Sequence, residues 1–171
     1  MRHLKILLVF LIIFSACNEQ VVEPMRIRPA NDYLIYEKVL EKLISDQNAI
    51  IVLDDSTHEE SSVYANPDRF IEGLSGLSAE TLENYMSVNQ EKIKLKNIPN
   101  IDFVFASKYE YSSEHKIYVN VSRIGYNKKK TQAVVTMGMT YGPFVGYGSI
   151  MFLVKDGYEW KIQKTMMTWI S

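Results

Sequence analysis

The chain has 171 residues, 47% of them hydrophobic and 23% charged, with 19 basic against 20 acidic side chains. That balance belongs to one ordinary folded domain and excludes a disordered, fibrous or polytopic chain. A pI near 6.3 supplies no general cationic field for phosphates, so nucleic acid is not an expected partner.

Residues 1–17 stand apart from the rest of the chain. A short basic segment, Met1 to Lys5, precedes an unbroken apolar run from Ile6 to Phe14, and Ser15-Ala16-Cys17 closes on small side chains. This is the pattern of a secretion signal over 1–16. As a helix the apolar run covers about 14 Å, under half of a ~30 Å hydrocarbon core, so it is not expected to remain as a membrane span. Phe14-Ser15-Ala16-Cys17 resembles a bacterial lipobox, with Phe14 where Leu, Val or Ile is usual. The resemblance implies that Cys17 receives a diacylglyceryl group and becomes the first mature residue. An ordinary signal peptide with an incidental cysteine is the alternative.

Cys17 is the sole cysteine, so no intramolecular disulfide can form. Removal of the first 16 of 171 residues would leave 155, enough for a hydrophobic core to hold the fold unaided. Loss of Arg2 and Lys5 would leave 17 basic side chains against 20 acidic ones, so attachment to a membrane is expected through lipid and not through charge.

From Cys17 to Ala30 the chain carries two prolines and no sustained period, and reads as a tether. Its thirteen residues after the cysteine reach roughly 40 Å when extended. A single domain is expected over 31–171. Asn31 and Asp32 offer an N-cap, and Tyr36, Val39, Leu40, Leu43 and Ile44 recur at helical spacing, which predicts a helix over about 32–45. Ala49 to Leu53 is short, β-branched and apolar, as a strand covered on both faces would be. Asp54 to Ser62 then reads as a charged loop, Asn66-Pro67 as the start of a short helix ending near Gly73, and Ser78 as the cap of another. Leu82, Tyr85, Met86 and Asn89 mark the inner face of that last helix.

From about 101 the period becomes two. Strands are expected at 101–106, 117–124, 132–141, 148–155 and 160–169, as an antiparallel meander. Ala133, Val135, Met137, Met139 and Tyr141 share one face of the third, and Thr136, Gly138 and Thr140 the other. Asn127 to Lys130 and Asp156-Gly157 supply turns. Helices first and strands afterwards predict an α+β fold, its N-terminal helices packed on one face of a mainly antiparallel C-terminal β-meander.

Ser122-Arg123-Ile124-Gly125-Tyr126-Asn127, the segment Lys130 to Val135, the stretch Gly142 to Gly148, Gly157 to Lys161 and the final Trp169-Ile170-Ser171 resemble a family of uncharacterised exported bacterial proteins, many of them small Bacteroidetes-type lipoproteins. The resemblance covers most of the domain and implies kinship without an activity. Relatives often carry C-G-x-x-C-G where this chain has Tyr141-Gly142-Pro143-Phe144-Val145-Gly146, so no redox or metal role transfers to that turn.

Two clusters are candidates for function. Asp54, Asp55, His58 and Glu59 offer carboxylates and a base in the loop after a buried strand, where α/β architectures often place chemistry. No H-E-x-x-H stands there, and the bland alternative is a solvated acidic loop in which Ser56 or Thr57 makes local turn or cap bonds. His115 contributes only if the fold brings it to His58. No metal site and no cofactor are expected. Tyr141, Phe144 and Tyr147, with Tyr109 and Tyr111, form an aromatic cluster suited to a sugar, peptide or envelope-protein partner, with core packing as its alternative. Lys128 to Lys130 at a turn tip could meet anionic lipid or polysaccharide, or simply keep an edge soluble. The expected role is therefore a lipid-anchored envelope module that binds a partner or fills a structural slot. A hydrolase or metal-dependent enzyme using residues 54–60, and an envelope immunity or inhibitor protein, are the alternatives.

Overall fold

The computed structural model describes residues 30–44, 49–108, 115–142 and 144–171. The leader, Cys17, the tether up to residue 29, Tyr109 and Tyr111 lie outside the described residues. Four helices come first or interrupt the early strands: α1 (Ala30–Ile44), α2 (Ser61–Ala65), α3 (Pro67–Gly73) and α4 (Ala79–Val88). The strands are β1 (Ile50–Leu53), β2 (Val104–Phe105), β3 (Lys116–Val121), β4 (Gly125–Tyr126), β5 (Gln132–Gly142), β6 (Val145–Asp156) and β7 (Glu159–Ile170). The fold is α+β, with N-terminal helices against a largely antiparallel C-terminal sheet.

Local chemistry sets the boundaries. The Asn66 side chain accepts from the Arg69 amide at 3.4 Å and Pro67 opens α3, where its missing N–H costs nothing. The Ser78 hydroxyl accepts from the Thr81 amide at 3.3 Å and caps α4. Between β6 and β7, Gly157 takes φ +61°, the left-handed conformation that the tight turn requires.

The sheet runs β2-β1-β3-β5-β6-β7, and β4 pairs with β5 below β3, so that β3 and β4 form one interrupted strand. The expected strand at 101–106 is only the two residues of β2. It pairs parallel to β1, and β1 is parallel to β3, so the meander proper begins at β3. The chain between β1 and β2 must return to the same end of the sheet, and α2–α4 provide that crossover.

Helices cover both faces of the sheet and not one. On the first face Ile35, Tyr36, Val39 and Leu40 of α1 meet Ile51, Leu53, Val119, Val135, Met151 and Leu153. On the second, Phe70, Leu74, Leu82 and Tyr85 meet Val134, Ile150 and Phe152. The cause lies in the continuous apolar runs Ala133 to Val135 of β5 and Ile150 to Val154 of β6, which leave an apolar side chain on each face, so each face needs its own cover. Each large side chain so buried contributes about 1.5–3 kcal/mol.

The break between β3 and β4 is held by hydrogen bonds. Asn89, which ends α4, donates to Arg123 O at 3.0 Å and accepts from the Arg123 amide at 2.7 Å. Tyr36 donates to Ser122 O at 2.9 Å from the other face. Tyr85 and Thr136 share a hydrogen bond at 3.0 Å, and burial pushes the Tyr85 hydroxyl up to about 12. Immediately beyond, the backbones of α4 and β4 touch: a Cβ on Gly125 would lie 2.5 Å from Tyr85 Cα and 2.6 Å from its nitrogen. No flexible side chain can give way there. Gly125→Ala is expected to cost about 1–3 kcal/mol through overpacking, read as a lower urea midpoint with an unchanged slope.

Candidate functional site

Alternation along β5 decides what is left open. The cluster under α2–α4 includes Val134, Ile150 and Phe152, but its members on the sheet stop there. Two residues beyond Thr136 on the same face comes Gly138, which pairs with Asn120 of β3 on one side and Gly148 of β6 on the other; Gly148 in turn pairs with Trp169 of β7. The parallel register of β1 continues past its end, since the Asp54 amide donates to Val119 O at 2.9 Å. Asp54 therefore stands beside Asn120, and both line a cavity of about 80 Å³ with Val52, Tyr118 and Thr140. The result is a row across five strands: Asp54, Asn120, Gly138, Gly148, Trp169.

The glycines give this row its shape. A Cβ on Gly148 would fall on the Trp169 indole, 2.5 Å from Cδ1, and one on Gly146 would lie 3.2 Å from Cη2. The indole thus lies flat along β6 over two glycines. A Cβ on Gly138 would meet the Asn120 amide at 2.8–3.2 Å, so that amide leans over the third glycine. Asn120, Thr140 and Trp169 are half-buried and Tyr118 is 39% exposed, so the face forms a shelf that the helices leave open. Among the described residues, neither the Asn120 amide nor Trp169 Nε1 has a hydrogen-bond partner.

Trp169 reaches this face because β7 bulges. Gly148 pairs with Trp169 while Ser149 pairs with Met167, which leaves Thr168 as an extra residue. The Thr168 hydroxyl donates to Glu60 at 3.3 Å, and Glu60 also caps α2 by accepting from the Ser62 amide at 3.3 Å. The N-terminal end of α2 is thereby tied to the rim of the shelf.

The structure divides the acidic cluster. His58 Nε2 lies 2.7 Å from Asp54 Oδ2, with both side chains more than a third exposed. These two are brought together at the shelf. Asp55 points elsewhere, accepting from the Ser107 amide at 2.8 Å and from the Ser107 hydroxyl, so that it caps the turn at Ala106–Lys108. Those bonds hold its carboxyl below the usual range. Glu59 is exposed. His115 does not join His58: its carbonyl pairs with Ile50 while the His58 amide pairs with Val121 O, at opposite ends of β3. At about 3.3 Å per residue that separation is roughly 20 Å.

The loop is also less free than a solvated stretch. Thr57 is buried, and it bonds a distant segment where a local turn was expected: its amide donates to Ile93 O and its hydroxyl accepts from the Ile93 amide at 3.0 Å. With Leu95 donating to Asp55 O, residues 55–57 and 93–95 form a short antiparallel ladder.

Tyr141 and Tyr147 stack with ring centroids 6.4 Å apart, but on the α1 face, packed against the main core. Burial raises the Tyr147 hydroxyl above its ordinary value. Phe144, at the β5–β6 turn, is 85% exposed. The aromatic and acidic candidates thus occupy opposite faces of one sheet end. Among the described residues no group of three or more His, Cys, Asp or Glu side chains is placed to hold a metal ion. No protein-family model, curated protein or solved structure matches the chain.

Sequence reasoning missed Asn120, Thr168 and Trp169, and took Glu60 only as part of the acidic loop 54–60. The available signal was the common parity of Gly146 and Gly148, and the pairing of Gly148 with Gly138 across the hairpin.

Asp55 supplies a pH prediction. Its folded carboxyl titrates below the unfolded one, so its contribution is present above about pH 4 and fades as pH falls through the folded value. The stability gap between the wild type and Asp55→Ala should be constant from neutral to mildly acidic pH and close below that range, as followed by urea melts at stepped pH.

Proposed function

We propose that this chain is a lipid-anchored protein of the bacterial cell envelope, held through Cys17, whose domain binds a partner or ligand on the glycine-floored shelf. The observation that carries the binding reading is the row from Asp54 to Trp169. Over the middle of the sheet the helices close both faces, whereas here three glycines leave room at the backbone and an amide, a carboxylate and an indole surround it. Convergent polar groups around part-exposed aromatic area are the usual make-up of a recognition site.

The position of the start of α1 supports the same reading. Asp32, in the first turn of α1, accepts from the Tyr126 hydroxyl at 2.7 Å, which places the helix start beside β4 and residue 133 of β5. Burial, with that carboxylate beside it, holds the Tyr126 hydroxyl well above its ordinary value. Gly138 lies five residues further along β5, about 17 Å away. An anchor entering at Asp32 leaves the shelf on the far part of the domain, open to a partner.

A hydrolytic reading draws on one contact, His58 against Asp54 at 2.7 Å, in which the carboxylate orients the ring and the ring serves as general base. That contact is a single pair, whereas the shelf rests on the whole row from Asp54 to Trp169, so binding is the reading preferred.

Two measurements test the proposal. Cys17→Ser should abolish labelling by a lipid precursor and release the protein from membranes; unchanged fractionation would remove the anchor. Capture of envelope components by the wild type should be lost in Trp169→Ala and kept in Phe144→Ala. Equal capture by all three would move the binding surface off the shelf.

A further inference from the structure

We infer that the shelf recognises a neutral oligosaccharide, stacking one sugar ring on Trp169 and hydrogen-bonding its hydroxyls to Asn120, Asp54 and Glu60. This deepens the binding proposal above and rests on it. Shape comes first. The indole is laid flat by Gly146 and Gly148 and fixed by its strand's pairing with β6, so its part-exposed face is a rigid apolar plane. A ring with an apolar C–H face and polar edges suits such a plane, and a pre-set plane loses little entropy on binding.

Hydrogen-bond character comes second. A sugar hydroxyl both donates and accepts, so its site must offer both roles side by side. Asn120 supplies both from one amide, Trp169 Nε1 supplies a donor, and the Asp54 and Glu60 carboxylates supply acceptors. His58 and Thr168 hold those two carboxylates from behind, at 2.7 Å and 3.3 Å, and keep them in place. Each carboxylate has capacity left for a further donor.

Charge and topology discriminate against other ligands. A phosphate or carboxylate ligand would meet Asp54 and Glu60, and like charges at such distances repel. An extended peptide is normally bound by adding a strand to a sheet edge, through free backbone N–H and C=O groups. The shelf is a sheet face, and the strands beneath Asn120, Gly138 and Gly148 are paired on both sides. The row from Asp54 to Trp169 crosses four strand spacings, roughly 19 Å, which suits a short oligosaccharide better than a single ring. The 80 Å³ notch beside Asp54 and Thr140 is of a size for one exocyclic substituent.

The test uses the full chain purified in detergent, titrated with cellohexaose, chitohexaose and mannohexaose. Trp160→Phe serves as background, because Trp160 is buried on the opposite face and its removal leaves Trp169 as the only tryptophan reporter. Saturable change in Trp169 emission is expected for at least one hexasaccharide at about 1 mM or below, weakened about tenfold by Asn120→Ala and abolished, by calorimetry, in Trp169→Ala. Trp169→Phe, which keeps a ring on the glycine floor, should retain part of the affinity and guards against a simple loss of folding. Sugar binding that survives Trp169→Ala overturns the inference. Loss of a polypeptide partner in Trp169→Ala, with no sugar bound by the wild type, overturns it while leaving the shelf as the binding surface. Neither sugar nor polypeptide bound overturns both.

Discussion

One strand sets the terms for everything packed around it. β5 is paired along both sides, with β3 and β4 on one and β6 on the other, and its residues from Ala133 to Met139 are buried on both faces. Strict alternation then sends Ala133, Val135, Met137 and Met139 to α1, and Val134 and Thr136 to α4. A slip of one residue would exchange these sets, placing Thr136 and Gly138 under α1 and the methionines under nothing. The position of the shelf follows from the same alternation, since Gly138 is the first residue on the second face beyond the reach of α4. Core and candidate site are thus two stretches of one side of one strand.

Most of this arrangement could be read from the residues. Asn66-Pro67, Ser78 and Asp156-Gly157 mark their boundaries because capping and tight turning are local events, decided within four residues. The alternation in 132–141 is equally local and placed β5 within a residue of its limits. What escaped was decided by distant pairing. Ile101 to Ala106 looks like a strand by its neighbours, yet only Val104 and Phe105 pair, opposite Val52 and Leu53 of β1. Thr57 looks like a turn residue by its neighbours and is a ladder residue by virtue of Ile93. The second helical layer was obscured for the opposite reason: alternation in 133–135 is masked by apolar side chains at every position.

The candidate residues divide in the same way. Asp54 and His58 could be suspected from composition alone, since a base and a carboxylate four positions apart announce themselves. Their separation from Asp55 could not, because it depends on Ser107, fifty-two positions away. Tyr141 and Tyr147 were visible as aromatics but not as a pair on the α1 side. Asn120 and Trp169 carry no signal beyond their residue type until the sheet order brings 120, 138, 148 and 169 into line.

The bulges in β7 bear on more than its twist. As an outer strand of twelve residues it would offer a long template for unwanted pairing, and the irregularities opposite Phe152/Leu153 and Gly148/Ser149 bend it away from that fate. They also make the residue count of the last strand part of the recognition code. One position more or fewer between Lys164 and Trp169 would rotate the indole half a turn, to the side where Thr165 meets Lys42 of α1, without altering a single side chain of the shelf. Divergence among descendants of this sequence could thus switch the surface off by changing length where no change of composition would reveal it.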